Sequence, residues 1–421
     1  MSCSILPATV VKSSPSSGYG LPPADTGNKL LDFLADGAIF FVHLERRFDP
    51  LFRPAFDALF RQLLTTLTAA LINLQRRNER LGLAEERIQP DEDAHLEDII
   101  STMGNQMRRL WKMGDYQRCG NTKTHGIVRG EFTVRGDLPE HMRRGIYAEP
   151  KTYRCWVRFS GPGPYITPDI DDIGFMSMSI KLMGVLGPKL LDDEKFTQDM
   201  TGVSTPTFVT PDTKANSQLQ HWSYKNAQTF YFINLTRPHF LDFIMQSLWI
   251  KTQSSPLESQ YFSCVPYLLG EGQAAVYSMK SRLETRTPVP RLPFRPPDNY
   301  LRDAMVATLA RQDVEFDIFL QVQTDSHRMP IENNAVYWPT GLSPRVPAAL
   351  LRIPRQKFDS PGQLAFARVL SWNPWHCIQE HRPLGNQSRA RLRLYKELST
   401  LRQTVNKAEH YEPTGDETFP S

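Results

Sequence analysis

Val314, Phe316, Ile318, Leu320 and Val322 stand at every second position with Glu315, Asp317, Phe319 and Gln321 between them, the period-two signature of a strand with one buried face. Similar alternation runs through HGIVRGEFTV, TYRCWVRFS, FMSMSIKLMG, AAVYSMKS and VPAALLRIPR. Turn-forming linkers rich in Gly, Pro and Asp, such as GPGPYITPDIDD, separate these stretches. Short strands without regular intervening helices predict an antiparallel barrel or sandwich, not a doubly wound sheet.

Before Thr124 the period changes. Leu59, Leu63, Leu67, Ala70 and Leu74 fall at helical spacing, and DEDAHLEDIISTMGNQMRRLW follows with an acidic first turn. The pattern divides the α+β chain into a flexible leader (1–28), a helical arm laid over the core (29–112) and a β-rich core (113–370). Helices are expected within that core around 226–251 and 299–310. A helical segment follows (371–408), then a flexible tail (409–421). In the last helix Leu394, Leu398, Leu401 and Val405 make an apolar stripe, and Arg391, Tyr395 and Arg402 stand roughly one above another on a neighbouring face.

Composition narrows the class. The chain has 421 residues, 40% apolar and 22% charged, with a formal charge of +4 spread along it, so it reads as globular and without a nucleic-acid stripe. Cys3, Cys119, Cys155, Cys264 and Cys377 are widely spaced and lack a C-x-x-C pair, which predicts a reducing, cytoplasmic setting. No basic region followed by an apolar core marks a signal peptide. The apolar windows LADGAIFFVHL and LFRQLLTTLTAALINL are short or broken by Arg61 and Gln62, below the roughly 20 residues of a spanning helix. No transmembrane segment is expected. The second window reads as a buried or partner-facing helix, with peripheral membrane contact as the alternative. Dinucleotide, Walker, zinc-protease and nucleophile-elbow motifs are absent.

The remaining candidate chemistry is Arg391-x-x-x-Tyr395. A guanidinium one turn away favours phenolate over phenol, and phenolate is a hard ligand for ferric iron; the plain alternative is surface decoration.

From Arg118 to Arg402 the order of pieces resembles the catalase family, in particular its divergent catalase-like branch. RCGNTKTHGIVRGEFTV supplies Arg118 for a propionate-binding Arg and Lys123 for the family Lys. Asn121 stands where the family has its distal His, and His125 lies four residues on. VRFS gives Arg158, a second propionate ligand, and Ser160, which supports the distal imidazole. DDIGFMSMSIKLMG matches the strand after an Asp-Pro-Arg-Gly turn, with Asp171 and Gly174 in the outer places. TGVSTPTFV matches the strand carrying the distal Asn; Val203 and Ser204 stand there, and Phe208 is an aromatic that could wall a porphyrin. Arg391, Tyr395 and Arg402 match the helper Arg, the iron-ligating Tyr and a third propionate Arg.

The resemblance implies an eight-stranded antiparallel β-barrel with a helical N-terminal arm and surrounding helices. It implies heme b, its ferric iron on Tyr395, and leaves NADPH binding open. Catalase chemistry needs a base to move the peroxide proton, and an amide at position 121 cannot do this. The expected activity is therefore heme-dependent oxidation, or hydroperoxide rearrangement or lysis as in catalase-type allene oxide synthases. The substrate would be a small hydrophobic molecule or fatty-acid hydroperoxide, and efficient H2O2 dismutation is not expected. Two other readings stay open: a true peroxidase or catalase using His125, and a heme-free or non-catalytic barrel. A homodimer is the expected assembly.

Overall fold

The alternating stretches close on one another. The computed structural model describes residues 21–172, 174–233, 238–284 and 286–419. Its strands are β1 (Thr124–Val134), β2 (Thr152–Ser160), β3 (Ser177–Met183), β4 (Thr197–Val203), β5 (Tyr261–Phe262), β6 (Tyr267–Leu268), β7 (Ala274–Ser281), β8 (Val314–Val322) and β9 (Val346–Ile353). They form one antiparallel sheet ordered β5-β4-β3-β2-β1-β9-β8-β7-β6, and β5 pairs with both β4 and β7. Eight strands thus close into a barrel without open edges, and the two-residue β6 is added alongside β7. The expected α+β, eight-stranded antiparallel barrel is what forms.

One side chain in two fills the barrel. Val128 and Phe132, Val157 and Phe159, and Phe316 and Ile318 belong to one buried cluster. On the other face, the Ser160 end of β2 and most of β3 and β4 are also buried, and their residues there are polar. Register pairs Thr124 with Ser160, Ser160 with Ser177, and Ser177 with Val203, so these four residues share the outward face. One step along, Arg158 pairs with Ser179 and Ser179 with Thr201.

The barrel's outer face is covered by α8 (Pro361–Val369), the segment after it, and α9 (Asn386–Asn406). Asn373 N, for example, donates to Asp199 Oδ2 at 2.8 Å. Helix α9 is fixed by its predicted stripe: Leu394 and Ala390 pack with Leu96, Ile99 and Ile100 of α3 (Glu92–Leu110). The short strands β4–β6 and the helix α4 (Thr213–Tyr224) carry weak periodicity, whereas α5 (Thr229–Phe232), α6 (Phe240–Ser247) and α7 (Tyr300–Leu309) lie in the two windows expected to be helical.

Two expectations are corrected. Helix α1 (Lys29–Phe56), a π-helical turn (Asp57–Arg61) and α2 (Gln62–Gln75) run on as one helix. Its leucine stripe, including Leu59, Leu63, Leu67 and Leu74, faces outward. The buried side of α1 is instead Ala35, His43, Arg46, Asp49 and Arg53. Periodicity located the helix, and of its two readings, buried or partner-facing, the buried one fails, because the inward face satisfies ionic partners. The tail is not loose through residue 419: Glu417 Oε2 accepts from Trp156 Nε1 at 2.9 Å, and Phe419 stacks near Phe366 and Trp156. A buried indole N–H requires an acceptor, and the tail brings one. The leader's first 20 residues, with Cys3, and residues 420–421 lie outside the described residues.

Candidate functional site

The loop before β1, the outward faces of β2–β4, the segment after α8, and α9 bring three arginines together. Arg158 is buried on β2. It donates to Asn121 O at 2.6 Å, to Thr124 Oγ1 at 2.9 Å and to Ser160 Oγ at 3.1 Å. Arg402 is buried on α9 and donates to the Arg368 carbonyl and, at 3.3 Å, to Ser371 Oγ. Arg118 donates to Ala367 O at 3.0 Å. Arg118 and Arg402 both reach the carbonyl of Leu370.

Among the described residues, none of these three guanidiniums has a carboxylate partner; each is held by backbone carbonyls or by carbonyls and hydroxyls. The electrostatic result is strain. Burial, then the charges of Arg158, Arg402 and Arg368, hold Arg118 well below the ordinary guanidinium pKa. Burial and Arg402 bring Arg158 down to about 9, while burial and Arg368 bring Arg402 to about 10. Buried cations of one sign gathered at one place are stable when an anion joins them. The cluster could hold a ligand with two or more negative charges.

About three turns before Arg402 on α9, the guanidinium of Arg391 lies 5.3 Å from the ring centroid of Phe208. Burial opposes its charge, but Tyr395, Tyr267, Cys264 and Tyr277 around it hold its pKa above the ordinary value. Arg391 Nη1 is buried without a hydrogen-bond partner. Tyr395 is half-buried. The i, i+4 spacing places the Arg391 guanidinium one helical turn from the Tyr395 phenol.

The other predicted residues separate into two groups. Asn121 has φ +50°, and its side-chain Oδ1 accepts from Ser177 Oγ at 2.5 Å. Ser177 shares the outward face with Ser160 and Val203, so Asn121 joins that face through a hydrogen bond. Val203 and Phe208 pack with Phe262, Leu248 and Trp249 as an apolar wall. Ser204 turns elsewhere: its Oγ accepts from Met176 N at 2.9 Å and ties the approaches to β3 and β4.

His125 also stands apart. It lies at the register shift between Thr124 and Gly126, out of the regular alternation. Its Nδ1 is 3.6 Å from Asp169 Oδ1, while Lys123 Nζ is 2.6 Å from the same oxygen. Burial, then Lys123, Arg302 and Arg158, hold the imidazole well below its ordinary pKa. Neither ring nitrogen makes a hydrogen bond. Cys119 donates toward Gln106 Oε1, and burial pushes its thiol up to about 12, unlike a thiolate ligand.

A second group with metal-ligand chemistry, Glu194, Asp199 and His376, sits farther along β3 and β4. The ammonium of Lys181 occupies its centre, paired with Glu194 and 2.8 Å from Asp199. That makes it a buried ion network with its cation built in.

Sequence reasoning missed Ser177 and the groups around Arg391. The alternation in FMSMSIKLMG could have located Ser177, because it places Ser177, Ser179 and Lys181 on one face. Cys264, Tyr267 and Tyr277 lie more than a hundred residues before Arg391 in an irregular region, and no local pattern links them to it.

No protein-family model matches the chain, and no curated protein matches it in sequence. Solved structures do. A fungal catalase is 14% identical with a TM-score of 0.56, covering 79% of this chain and 67% of that one. Catalase A from Saccharomyces cerevisiae is 14% identical with a TM-score of 0.55, covering 82% and 73%. A bacterial catalase, also 14% identical, has a TM-score of 0.52 over 82% and 70%. At this identity the likeness concerns architecture: the chain has the catalase fold.

Proposed function

We propose that this chain is a heme-dependent oxidoreductase of the divergent catalase-like branch, related to catalase-type allene oxide synthases. Its substrate is an organic hydroperoxide or similar apolar molecule, and it is a poor dismutase of H2O2. The observation that carries the reading is the Arg118–Arg158–Arg402 cluster, with Arg158 and Arg402 buried and Arg118 half-buried, and no carboxylate partner among the described residues. Two propionates of heme b match its charge and suit bidentate guanidinium pairing. Tyr395 would hold the iron through its phenol oxygen, with the Arg391 guanidinium one helical turn away on the same helix. When bound, heme supplies the chemistry of oxygen–oxygen bond cleavage.

The chain's own residues then set the reaction class. Ser177 occupies Asn121 Oδ1, leaving the Nδ2 amide as the group that can donate to a substrate oxygen. An amide orients but does not carry a proton near neutral pH. Losing an acid–base group slows such a step by about two to four orders of magnitude. Val203 and Phe208 give the wall an apolar surface, which suits an alkyl chain better than H2O2. His125 carries the second reading, peroxidase-type help, because its buried imidazole is neutral and its nitrogens lack hydrogen bonds.

Titration of the purified chain with hemin should give a Soret band that is altered in Tyr395→Phe; no uptake sinks the cofactor assignment. The loaded protein should consume linoleic acid hydroperoxide faster than it releases oxygen from H2O2. Rapid oxygen release would overturn the role given to Asn121.

A further inference from the structure

The α1–α2 arm is amphipathic with its faces reversed for a soluble monomer. Its charged side faces the protein: Arg46 Nη1 donates to Ile170 O, Asp49 Oδ2 accepts from Thr252 N, and Arg53 pairs with Asp57. Arg61 completes this side, paired with Asp57 and stacked over Trp249. The opposite side is almost entirely hydrocarbon; between Leu30 and Leu74 Glu45 is its one exposed charge, and burial, then Asp49, raises the pKa of that carboxyl. Leu51, Leu59 and Leu63 are 82%, 69% and 68% exposed, and Phe33, Phe41 and Leu74 extend the surface to both ends. Phe240 and Phe243 of the adjoining α6 broaden it.

Its chemistry selects the occupant. Between Phe48 and Leu74 no charged residue is classed as exposed; Gln62 and Thr66 are the only polar residues that are. Protein interfaces keep a polar rim and are roughly two-thirds apolar even in homodimer cores, whereas hydrocarbon accepts almost no polar groups. The 47-residue run is long and apolar enough to cross a bilayer. At 1.5 Å per residue, however, it is about 70 Å long, against a hydrocarbon core of about 30 Å. Crossing would also pull Arg46, Asp49, Arg53 and Asp57 from their partners. Exposed Lys29 before the run, and Arg77 and Arg80 after it, suit lipid phosphates at the rim.

We infer that the α1–α2 arm lies in the plane of a lipid leaflet and seats the protein on a membrane as a monotopic surface helix. On the arm's inner side Phe56 and Leu64 pack in one cluster with Val203, Phe208 and Ile244. The membrane-facing helix is thus also the cover of the apolar wall. If the heme reading holds, an acyl substrate reaches that wall from the bilayer rather than from bulk water.

The test is flotation of the full chain with vesicles of phosphatidylcholine, alone and with one-fifth phosphatidylglycerol. The wild type should float with both. The triple variant Leu51→Glu/Leu59→Glu/Leu63→Glu should lose at least tenfold of the bound fraction, with an unchanged circular dichroism spectrum. Should that variant misfold, Leu30→Glu/Phe41→Glu should show the same loss. A wild type that fails to float, or runs as a dimer that the triple variant splits, overturns the inference in favour of a second copy as the covering partner. Equal flotation of wild type and folded variants overturns it as well. Flotation requires no heme, so its outcome is separate from that of the cofactor assignment.

Discussion

Replacing Arg158 by Met separates a ligand cradle from a structural arginine. In the empty protein, Arg158 is charged although its pKa has fallen to about 9 through burial and Arg402. Against the ordinary 12.5 this corresponds to about 5 kcal/mol of penalty near pH 7, at 1.36 kcal/mol per unit. A folded pKa below the unfolded one means that the unfolded chain binds more protons between those values. The penalty is therefore full below about pH 9 and relieved as pH rises above it. Its hydrogen bonds to Asn121 O, Thr124 Oγ1 and Ser160 Oγ act in the other direction, at roughly 1.5–3 kcal/mol for bonds to charged groups. The two contributions are of similar size, so Arg158→Met should move the melting temperature of the empty protein little. Hemin affinity should respond strongly, because a buried charge pair truncated on one side loses about 2–5 kcal/mol, or roughly 30- to 5,000-fold. Hemin titration followed at the Soret band and by tryptophan quenching, beside thermal unfolding of the empty protein, reads both quantities. A variant that binds hemin like the wild type but unfolds several kcal/mol more easily would refute the cradle.

Three further outcomes follow from particular contacts. Asn121→His should raise oxygen release from H2O2 in the hemin-loaded protein at least tenfold; its φ of +50° is one that His tolerates, and no gain would remove Asn121 from the reacting face. Burial and Lys181 oppose the charge on His376, but Asp193 and Asp199 lift its pKa to about 9. Its contribution of about 3 kcal/mol should be complete below about pH 6.5 and lost as pH rises to about 9; urea unfolding across that range should be flatter in His376→Asn. Gly174 has φ +82°, and a Cβ there would stand 2.9 Å from Ile250 Cγ2 and 3.0 Å from Lys251 O, so Gly174→Ala should lose about 1–3 kcal/mol of stability by urea titration.

The barrel was legible because its long strands bury one face in a common core. VEFDIFLQV alternates apart from Phe319, where the strand has a register shift, and its inward residues are those that pattern marks. The shorter strands were not legible for the same reason. TQDMTGV of β4 is buried on both sides, with its polar residues satisfied by neighbours such as Lys181, Asn373 and Tyr277. Its pattern reports those partners rather than solvent. The arm shows the limit in its simplest form. Leu59, Leu63, Leu67 and Leu74 correctly announce a helix, and the inference that an apolar stripe faces the core fails because Arg46, Asp49 and Arg53 have specific partners on the protein body. Periodicity establishes that a helix has two faces; only the tertiary partners decide which is inside.

The candidate site divides along a similar line. Arg391, Tyr395 and Arg402 come from one helix, so their spacing alone places them on related faces. Arg118 and Arg158 lie far from that helix in sequence, and only closure of the barrel under α8 and α9 brings their charges together. What no spacing could supply is the balance of charge. A resemblance can pair each arginine with a role one at a time, but an anionic ligand is called for because, among the described residues, no carboxylate pairs with any of the three. The same reasoning applies opposite the helix. Asn121 in the sequence is only a missing imidazole, whereas Asn121 with Ser177 on its Oδ1 is an amide whose remaining polar function is to donate. That difference makes the proposed role of Asn121 specific: the site should orient a substrate oxygen, and proton transfer at that oxygen should be slow.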